Sequence, residues 1–127
     1  MKIDHVAMYV ANIYMAKAFF VKYFGGVASE AYRNPGTGFM NYFISFEDGA
    51  RLELMSKGGV ELIDNKIERI GYAHVSFSVG SREAVNELTE RLIRDGYELV
   101  SAPRVTGDGY YESCVFDLEK NRVEITV

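Results

Sequence analysis

Two histidines and two glutamates stand at matching places in the two halves of the chain. His5 and His74 are the only histidines, and each lies in a short run of alternating apolar and small polar residues. Glu53 and Glu124 each stand between aliphatic residues and follow an arginine by two positions. Two imidazoles and two carboxylates form a mixed nitrogen and oxygen set that suits Zn, Ni, Co, Mn or Fe(II). The pattern predicts one divalent metal ion per site, bound by His5, Glu53, His74 and Glu124, with water completing the coordination.

An ordinary structural role is the alternative for each of these four residues. A glutamate between aliphatic strand residues faces away from the core by alternation alone, and a histidine on a strand needs no ligand. This alternative requires, however, that the only two histidines of the chain fall at equivalent places by chance. The metal site is therefore the better interpretation of the four residues taken together.

The elements that must position these residues repeat in the same order, βαβββ followed by βαβββ. Asn12 and Ser81 are suitable N-caps before two stretches with apolar residues at helical spacing, and Gly25 and Gly96 end these helices near residues 24 and 94. Strands are predicted at 3–10, 27–33, 39–46, 51–56, 72–79, 97–105, 110–117 and 121–127, with turns that include 34–36 and 47–49.

The predicted fold is α+β, with two tandem βαβββ modules that form curved mixed sheets around a metal-binding cleft. The half-repeats are 1–57 and 71–127, and a polar linker at 58–70 has room for a short helix over 62–68. Side chains two positions apart on a strand share a face. If both sheets curve and the halves pair about a pseudo-twofold axis, the four candidate ligands can converge.

The composition of the chain limits the class of protein and the kinds of partner that it can have. The chain has 127 residues, of which 48% are hydrophobic, so we expect one globular domain over 1–127. The net charge of −4 and the scattered basic residues argue against a nucleic-acid partner. We expect no membrane span and no signal peptide, and hence a cytoplasmic protein. The single cysteine, Cys114, lies in a strand-like run, and core packing is the favoured role over a reactive thiol.

The repeat and its ligand positions resemble the vicinal oxygen chelate superfamily, which includes glyoxalase I, methylmalonyl-CoA epimerase, extradiol dioxygenases, fosfomycin-modifying enzymes and bleomycin-binding proteins. The resemblance covers essentially the whole chain. It is most specific from Gly109 to Ile125, which is similar to the last hairpin of small bacterial glyoxalase-like members. Those members often carry Asp-Pro-Asp-Gly-Asn in the turn, where this chain has Asp-Leu-Glu-Lys-Asn at 117–121. This departure concerns turn geometry and not chemistry.

The order His-Glu-His-Glu resembles the ligand set of glyoxalase I, so the nearest enzyme is a lactoylglutathione lyase. The resemblance implies a metal that holds two vicinal oxygens of a hemithioacetal and stabilises an enediolate. It also implies that Glu124 is the mobile base, that Glu53 is a second base, and that His5 and His74 are fixed ligands. Bleomycin-binding relatives lack these ligands, epimerases usually have Gln in place of Glu53, and extradiol dioxygenases and fosfomycin-type enzymes do not need Glu53.

Two positions depart from the bacterial glyoxalase I pattern for glutathione. Tyr9 stands where such enzymes have an arginine that meets a glutathione carboxylate, and Lys57 stands where they have an asparagine. Lys57 can still bind a carboxylate, and Arg33 or Arg51 can compensate. Four aromatic residues can wall a small-molecule pocket or pack in the core: Phe39, Tyr42, Tyr110 and Tyr111.

The resemblance also leaves other roles open and implies an assembly. A small-molecule or antibiotic binding protein, an epimerase and an extradiol dioxygenase are the alternatives to the lyase. Modules of this family pair edge to edge, so a homodimer is expected, with a small molecule as substrate.

Overall fold

The computed structural model describes residues 1–47, 49–62, 67–68 and 70–127. The chain forms two compact units, Met1–Ile63 and Asp64–Val127, whose boundary falls inside the predicted linker. The architecture is α+β, as predicted, with one mixed sheet and one long helix in each unit. No described helix is long and apolar enough to cross a membrane.

The first unit is built on a sheet in which the first strand pairs in parallel with the last. Its elements are β1 (His5–Tyr9), α1 (Ile13–Phe24), β2 (Val27–Ala28), β3 (Tyr32–Arg33), β4 (Met40–Ser45) and β5 (Arg51–Ser56). The strand order is β1-β5-β4-β2, and β3 also pairs with β4. The strands β1 and β5 are parallel, and the other pairs are antiparallel.

The second unit repeats this arrangement. Its elements are β6 (Val75–Ser78), α2 (Arg82–Arg94), β7 (Leu99–Val105), β8 (Tyr111–Phe116) and β9 (Arg122–Thr126). The strand order is β6-β9-β8-β7, again with a parallel pair of first and last strands. The internal repeat predicted from the sequence is therefore confirmed at the level of sheet topology.

Both helices begin and end where the capping residues predict. The side chain of Asn12 accepts a hydrogen bond from the Met15 N–H, and that of Ser81 accepts one from Ala84. Gly25 ends α1 in the left-handed region at φ 65°, which glycine adopts without a steric penalty. The buried residues of α1 recur at helical spacing and are Ile13, Ala16, Phe19, Phe20 and Tyr23.

Each helix covers one face of its sheet, and this packing leaves the other face for the candidate ligands. In the first unit Leu52 and Leu54 of β5 are buried, and in the second Val123 and Ile125 of β9 are buried. Because side chains alternate along a strand, the glutamate between each aliphatic pair lies on the opposite face. The sequence prediction of this orientation is confirmed.

The predicted strand at 27–33 is wrong in detail, because the structure contains two short strands, β2 and β3, in its place. The backbone N–H of Ser29 donates to the Phe43 carbonyl at 2.8 Å, but the Phe43 N–H donates to the Ser29 hydroxyl at 3.0 Å. A side-chain oxygen thus takes the place of a backbone carbonyl, which interrupts the ladder.

Three further sequence predictions either differ from the observed elements or fall on residues outside the described ranges. The strand predicted at 72–79 is observed only at Val75–Ser78, so His74 precedes β6. The short helix predicted over 62–68 and the turn at 47–49 include positions 48 and 63–66, which lie outside the described residues.

Candidate metal ligands

His5 and Glu53 form the first candidate pair, on adjacent parallel strands of the first unit. His5 opens β1, and Glu53 lies in the middle of β5, where it is in register with Ala7. The His5 Nε2 atom lies 3.7 Å from Glu53 Oε2. The imidazole is 40% exposed and the carboxylate 13%, so the pair lies at a partly covered surface. The structure therefore brings together two of the four predicted ligands.

The other imidazole nitrogen of His5 contacts a carboxylate. His5 Nδ1 lies 2.9 Å from Asp4 Oδ2, and the Arg51 guanidinium donates a hydrogen bond to the same oxygen. The hydrogen bond with His5 and then the bond and charge of Arg51 lower the pKa of the Asp4 carboxyl. An ionised Asp4 can only accept a hydrogen bond, so this contact suits an imidazole that carries its proton on Nδ1.

The Glu53 carboxylate has an additional hydrogen bond that limits its orientation. The side-chain amide of Asn41 on β4 donates to Glu53 Oε1, while Oε2 is the atom nearest His5. The two oxygens of this carboxylate thus have different partners.

His74 and Glu124 form the second candidate pair, in the second unit. The His74 Nε2 atom lies 3.4 Å from Glu124 Oε2, and the side chains are 42% and 16% exposed. Glu124 lies on β9 in register with Ser76, whose hydroxyl donates to Glu124 Oε1 at 2.6 Å. The second pair therefore repeats the arrangement of the first, with a serine hydroxyl in the role of the asparagine amide.

Two acidic groups on β8 lie beside Glu124. Burial raises the pKa of the Glu112 carboxyl, and the charge of Glu124 raises it further. Burial also raises the pKa of the Cys114 thiol to about 11, and the charge of Glu124 adds to this effect. Cys114 lies opposite Glu124 in the antiparallel register. A thiol of this pKa is protonated at neutral pH, so it lacks the thiolate that a reactive cysteine needs.

The nitrogen and oxygen atoms of each pair are farther apart than in a direct hydrogen bond, and their separations can be compared with those of two donors on one metal ion. Two donors that bind one ion at the usual bond lengths lie about 3.0 Å apart at a right angle and about 3.4 Å apart at the tetrahedral angle. The observed separations are 3.4 and 3.7 Å. An N–H···O bond is shorter, at about 2.7–3.2 Å. Both pairs are thus within a few tenths of an ångström of chelating geometry.

Each pair supplies two donors, which is half of the predicted set. Among the residues that the structure describes, no group of three or more His, Cys, Asp or Glu side chains is close enough to hold a metal ion. That one ion binds His5, Glu53, His74 and Glu124 together stays a prediction.

The positions that depart from the glutathione pattern contact one another. The Lys57 ammonium lies over the Tyr9 ring, 5.1 Å from its centroid. Arg51 binds Asp4, while Arg33 donates to the Tyr14 hydroxyl at a groove of about 530 Å³. Met40 and Ser56 line this groove, and by alternation they face away from the side of the sheet that carries Glu53. That Arg33 or Arg51 compensates for the arginine of the glutathione pattern stays a prediction.

The four predicted aromatic residues divide between core and surface. Tyr42 is buried in the core, and Phe39 lines the groove. Tyr110 is 60% exposed, and the Tyr111 hydroxyl donates to Asn86.

Sequence reasoning missed the roles of Asp4, Asn41 and Ser76. Asp4 directly precedes a candidate ligand, which is a usable signal for a hydrogen-bond partner. Ser76 stands two positions after His74 and therefore on its face of the strand. Asn41 gives no such signal, because its contact with Glu53 depends on the pairing of β4 with β5.

Solved structures share this fold over the whole chain. A possible glyoxalase from Bacillus cereus has a TM-score of 0.75 and 26% identity, covering 100% of this chain and 99% of that one. A glyoxalase family protein from Enterococcus faecalis has a TM-score of 0.81 and 22% identity, covering 99% and 97%. Glyoxalase I from Zea mays has a TM-score of 0.81 and 18% identity, and the match covers 98% of this chain but 44% of that one.

Sequence comparisons give a family and no individual relative. A search of curated proteins finds no significant match. A sequence model of the Glyoxalase/Bleomycin resistance protein/Dioxygenase superfamily matches residues 2–125, which is nearly the whole chain. This chain therefore belongs to the glyoxalase/bleomycin resistance protein/dioxygenase superfamily.

Proposed function

We propose that the protein is a metal-dependent lyase or isomerase of the glyoxalase I type, acting on a hemithioacetal or a similar small molecule with vicinal oxygens. The observation that carries this proposal is the pair of His and Glu side chains in each unit, whose nearest nitrogen and oxygen atoms lie 3.7 and 3.4 Å apart. Superfamily membership supports it, because glyoxalase I from Zea mays has the same fold.

The proposed ligands of the metal are His5, Glu53, His74 and Glu124. Two neutral imidazoles and two carboxylates give a donor set whose charge balances a divalent cation. When bound, the cation would supply Lewis acidity that polarises the oxygen atoms of the substrate. Three or four protein ligands are usual for such a site, so we propose that both pairs serve one ion.

Glu124 is the proposed mobile base, and its environment supports this choice over Glu53. The hydroxyl of Ser76 rotates about its C–O bond, so it can keep a hydrogen bond to Glu124 while the carboxylate moves. The planar amide of Asn41 holds Glu53 in a more fixed direction. In the proposed reaction Glu124 removes a proton from the carbon beside the carbonyl and returns it to the neighbouring carbon. Glu53 is the proposed second base.

The thiol part of the substrate is the less defined half of the proposal. Tyr9 and Lys57 replace the usual contacts of glutathione, and the ammonium of Lys57 lies against the Tyr9 ring. A cation at this place still favours a thiol with a carboxylate. Glutathione therefore belongs in the test beside thiols that lack its carboxylates.

A homodimer is proposed as the functional assembly. The edge strand β7 has exposed aliphatic side chains, including Val100 and Val105, which an unpaired edge leaves open to another chain. A dimer mass by light scattering at micromolar concentration is expected, and a monomer mass would contradict it. If ligands from two chains share one ion, dilution should also release metal. The cytoplasmic location stays a prediction from the sequence.

Metal content followed by turnover tests the proposed function. The purified protein should contain about one divalent ion per proposed site, and His74→Ala should lose it. Tyr72→Ala is the matched control, because Tyr72 is 96% exposed and stands two positions before His74. The metal-loaded protein is then assayed with methylglyoxal and a panel of thiols that includes glutathione.

Two outcomes would contradict the proposal. Unchanged metal content in His74→Ala would remove His74 from the ligand set. Full metal loading without turnover of any hemithioacetal would exclude the lyase, and it would favour a binding role or another reaction of the superfamily.

A further inference from the structure

We propose that Asp4 is a positioning residue that fixes the imidazole of His5 in the tautomer with the proton on Nδ1. Asp4 Oδ2 lies 2.9 Å from His5 Nδ1, and Asp4 cannot donate a proton when ionised. The proton of that hydrogen bond must therefore belong to the imidazole. The consequence for metal binding, that Nε2 has its lone pair available for an ion, depends on the function proposed above.

Arg51 holds the Asp4 carboxylate in place. Its guanidinium donates to the same oxygen, Oδ2, that faces His5. Arg51 lies on β5 directly opposite His5 in the parallel register, so the backbone pairing sets this contact. A guanidinium has only hydrogen-bond donors, so Asp4 is the acceptor in this pair and presents the same oxygen as an acceptor to His5.

The ring of Phe43 supports the same arrangement. His5 meets this ring edge-on, with centroids 5.4 Å apart and an interplanar angle of 87°. The Arg51 guanidinium lies 4.5 Å from the centre of the same ring. Phe43 thus contacts both partners of Asp4, which restricts how far either can turn.

Among the described residues of the second unit, no carboxylate is placed beside His74 as Asp4 is beside His5. Ala73 precedes His74, and its methyl side chain has no hydrogen-bond acceptor. Arg122 has the place of Arg51 in the repeat, and it pairs with Glu68 at 3.6 Å. The inference is therefore specific to His5, and the two histidines of the chain should differ in their tautomer preference.

Nitrogen-15 NMR of the metal-free protein tests the tautomer directly. At a pH at which both imidazoles are neutral, His5 should show the protonated Nδ1 form, whereas a histidine side chain without such a partner prefers protonated Nε2. Asp4→Ala should shift His5 towards the protonated Nε2 form. Asp4→Asn should largely keep the Nδ1 form, because an amide oxygen can still accept the hydrogen bond. A protonated Nε2 on His5 in the wild type would overturn the inference.

Metal affinity supplies the second measurement. Loss of a partner that orients a ligand typically weakens metal binding by about 10–100-fold, and we expect this loss in Asp4→Ala. Glu30→Ala is the matched control, because it removes one negative charge at an exposed position of the same unit. Equal affinities of the two variants would contradict the positioning role.

The two measurements separate this inference from the proposed function. If His5→Ala binds metal as tightly as the wild type, the proposed ligand set fails whatever the tautomer of His5 is. If His5→Ala loses metal but Asp4→Ala changes neither the tautomer nor the affinity, the ligand set stands and the role of Asp4 is wrong. Circular dichroism checks that each variant is folded.

Discussion

Replacing Glu124 by glutamine separates metal binding from proton transfer. In the wild type, Glu124 Oε1 accepts a hydrogen bond from Ser76, and Oε2 faces His74. The glutamine amide can donate to the Ser76 oxygen after the hydroxyl rotates, and its carbonyl oxygen can then face His74. One oxygen donor and one hydrogen bond therefore remain, and most of the metal should stay bound. The amide has no basicity, so proton transfer is lost.

The expected loss of turnover follows from this difference. Removal of a general base typically lowers the rate by about 10²–10⁴-fold, which corresponds to about 2.7–5.5 kcal/mol in the activation free energy. Glu53→Gln should cost less, because Glu53 mainly holds the metal in the proposed mechanism. In the Glu53→Gln variant, the Asn41 amide must either keep donating to the one remaining side-chain oxygen of residue 53 or rotate by about 180° to present its own oxygen.

Turnover and metal content are measured together, on the hemithioacetal that the wild type converts. Glu87→Gln is the control for a general loss of negative charge, because Glu87 is an exposed carboxylate on α2 of the same unit. Equal turnover of Glu124→Gln and the wild type at equal metal loading would rule out Glu124 as the base. An equal loss in Glu87→Gln would show that the negative charge of the unit, and not basicity at position 124, controls the rate.

Three further predictions concern buried or tightly packed positions inside the individual units. Thr89→Val should lower the free energy of unfolding in urea by about 1–3 kcal/mol, because it leaves the buried Ser113 hydroxyl without its 2.6 Å partner. Adding Ser113→Ala should restore part of this loss. An unchanged free energy of unfolding for Thr89→Val would contradict the reasoning. Cys114, with a pKa of about 11, should react with iodoacetamide at pH 8 on the order of 10²-fold more slowly than free cysteine, and an equal rate would contradict this. A Cβ at Gly26 would lie 2.3 Å from a fully buried isoleucine, so Gly26→Ala should cost about 1–3 kcal/mol in thermal unfolding, whereas Gly58→Ala should cost little.

The sequence predicted the helices and strands whose structure depends on residues close to one another in the chain. Asn12 and Ser81 cap helices because their side chains accept backbone N–H groups within the next turn, which the sequence alone specifies. The strands that carry the glutamates could also be predicted, because alternation of apolar and polar residues determines which face is buried. The division of the strand at 27–33 could not, because it depends on a hydrogen bond between Ser29 and the distant Phe43.

The candidate site divides in the same way. A repeat shows what the two halves have in common, and the common residues include the proposed donors His5, Glu53, His74 and Glu124. It does not show the residues that hold those donors, because these differ between the halves. Asn41 donates to one glutamate from a neighbouring antiparallel strand, whereas Ser76 donates to the other from a parallel strand. Such contacts appear only when the strand pairing is known.

The different supports give the two pairs different properties although their donors are identical. His5 has a charged acceptor on its second nitrogen, which fixes its tautomer and makes Nε2 a stronger donor. His74 follows an alanine, but its partner Glu124 is held by a hydroxyl that can rotate with it. We therefore expect the first pair to be the more rigid and the second to have the more mobile carboxylate. A site that holds a metal ion and also moves a proton needs fixed ligands and one carboxylate that can move. This difference between the two pairs is the physical reason to propose Glu124, and not Glu53, as the base.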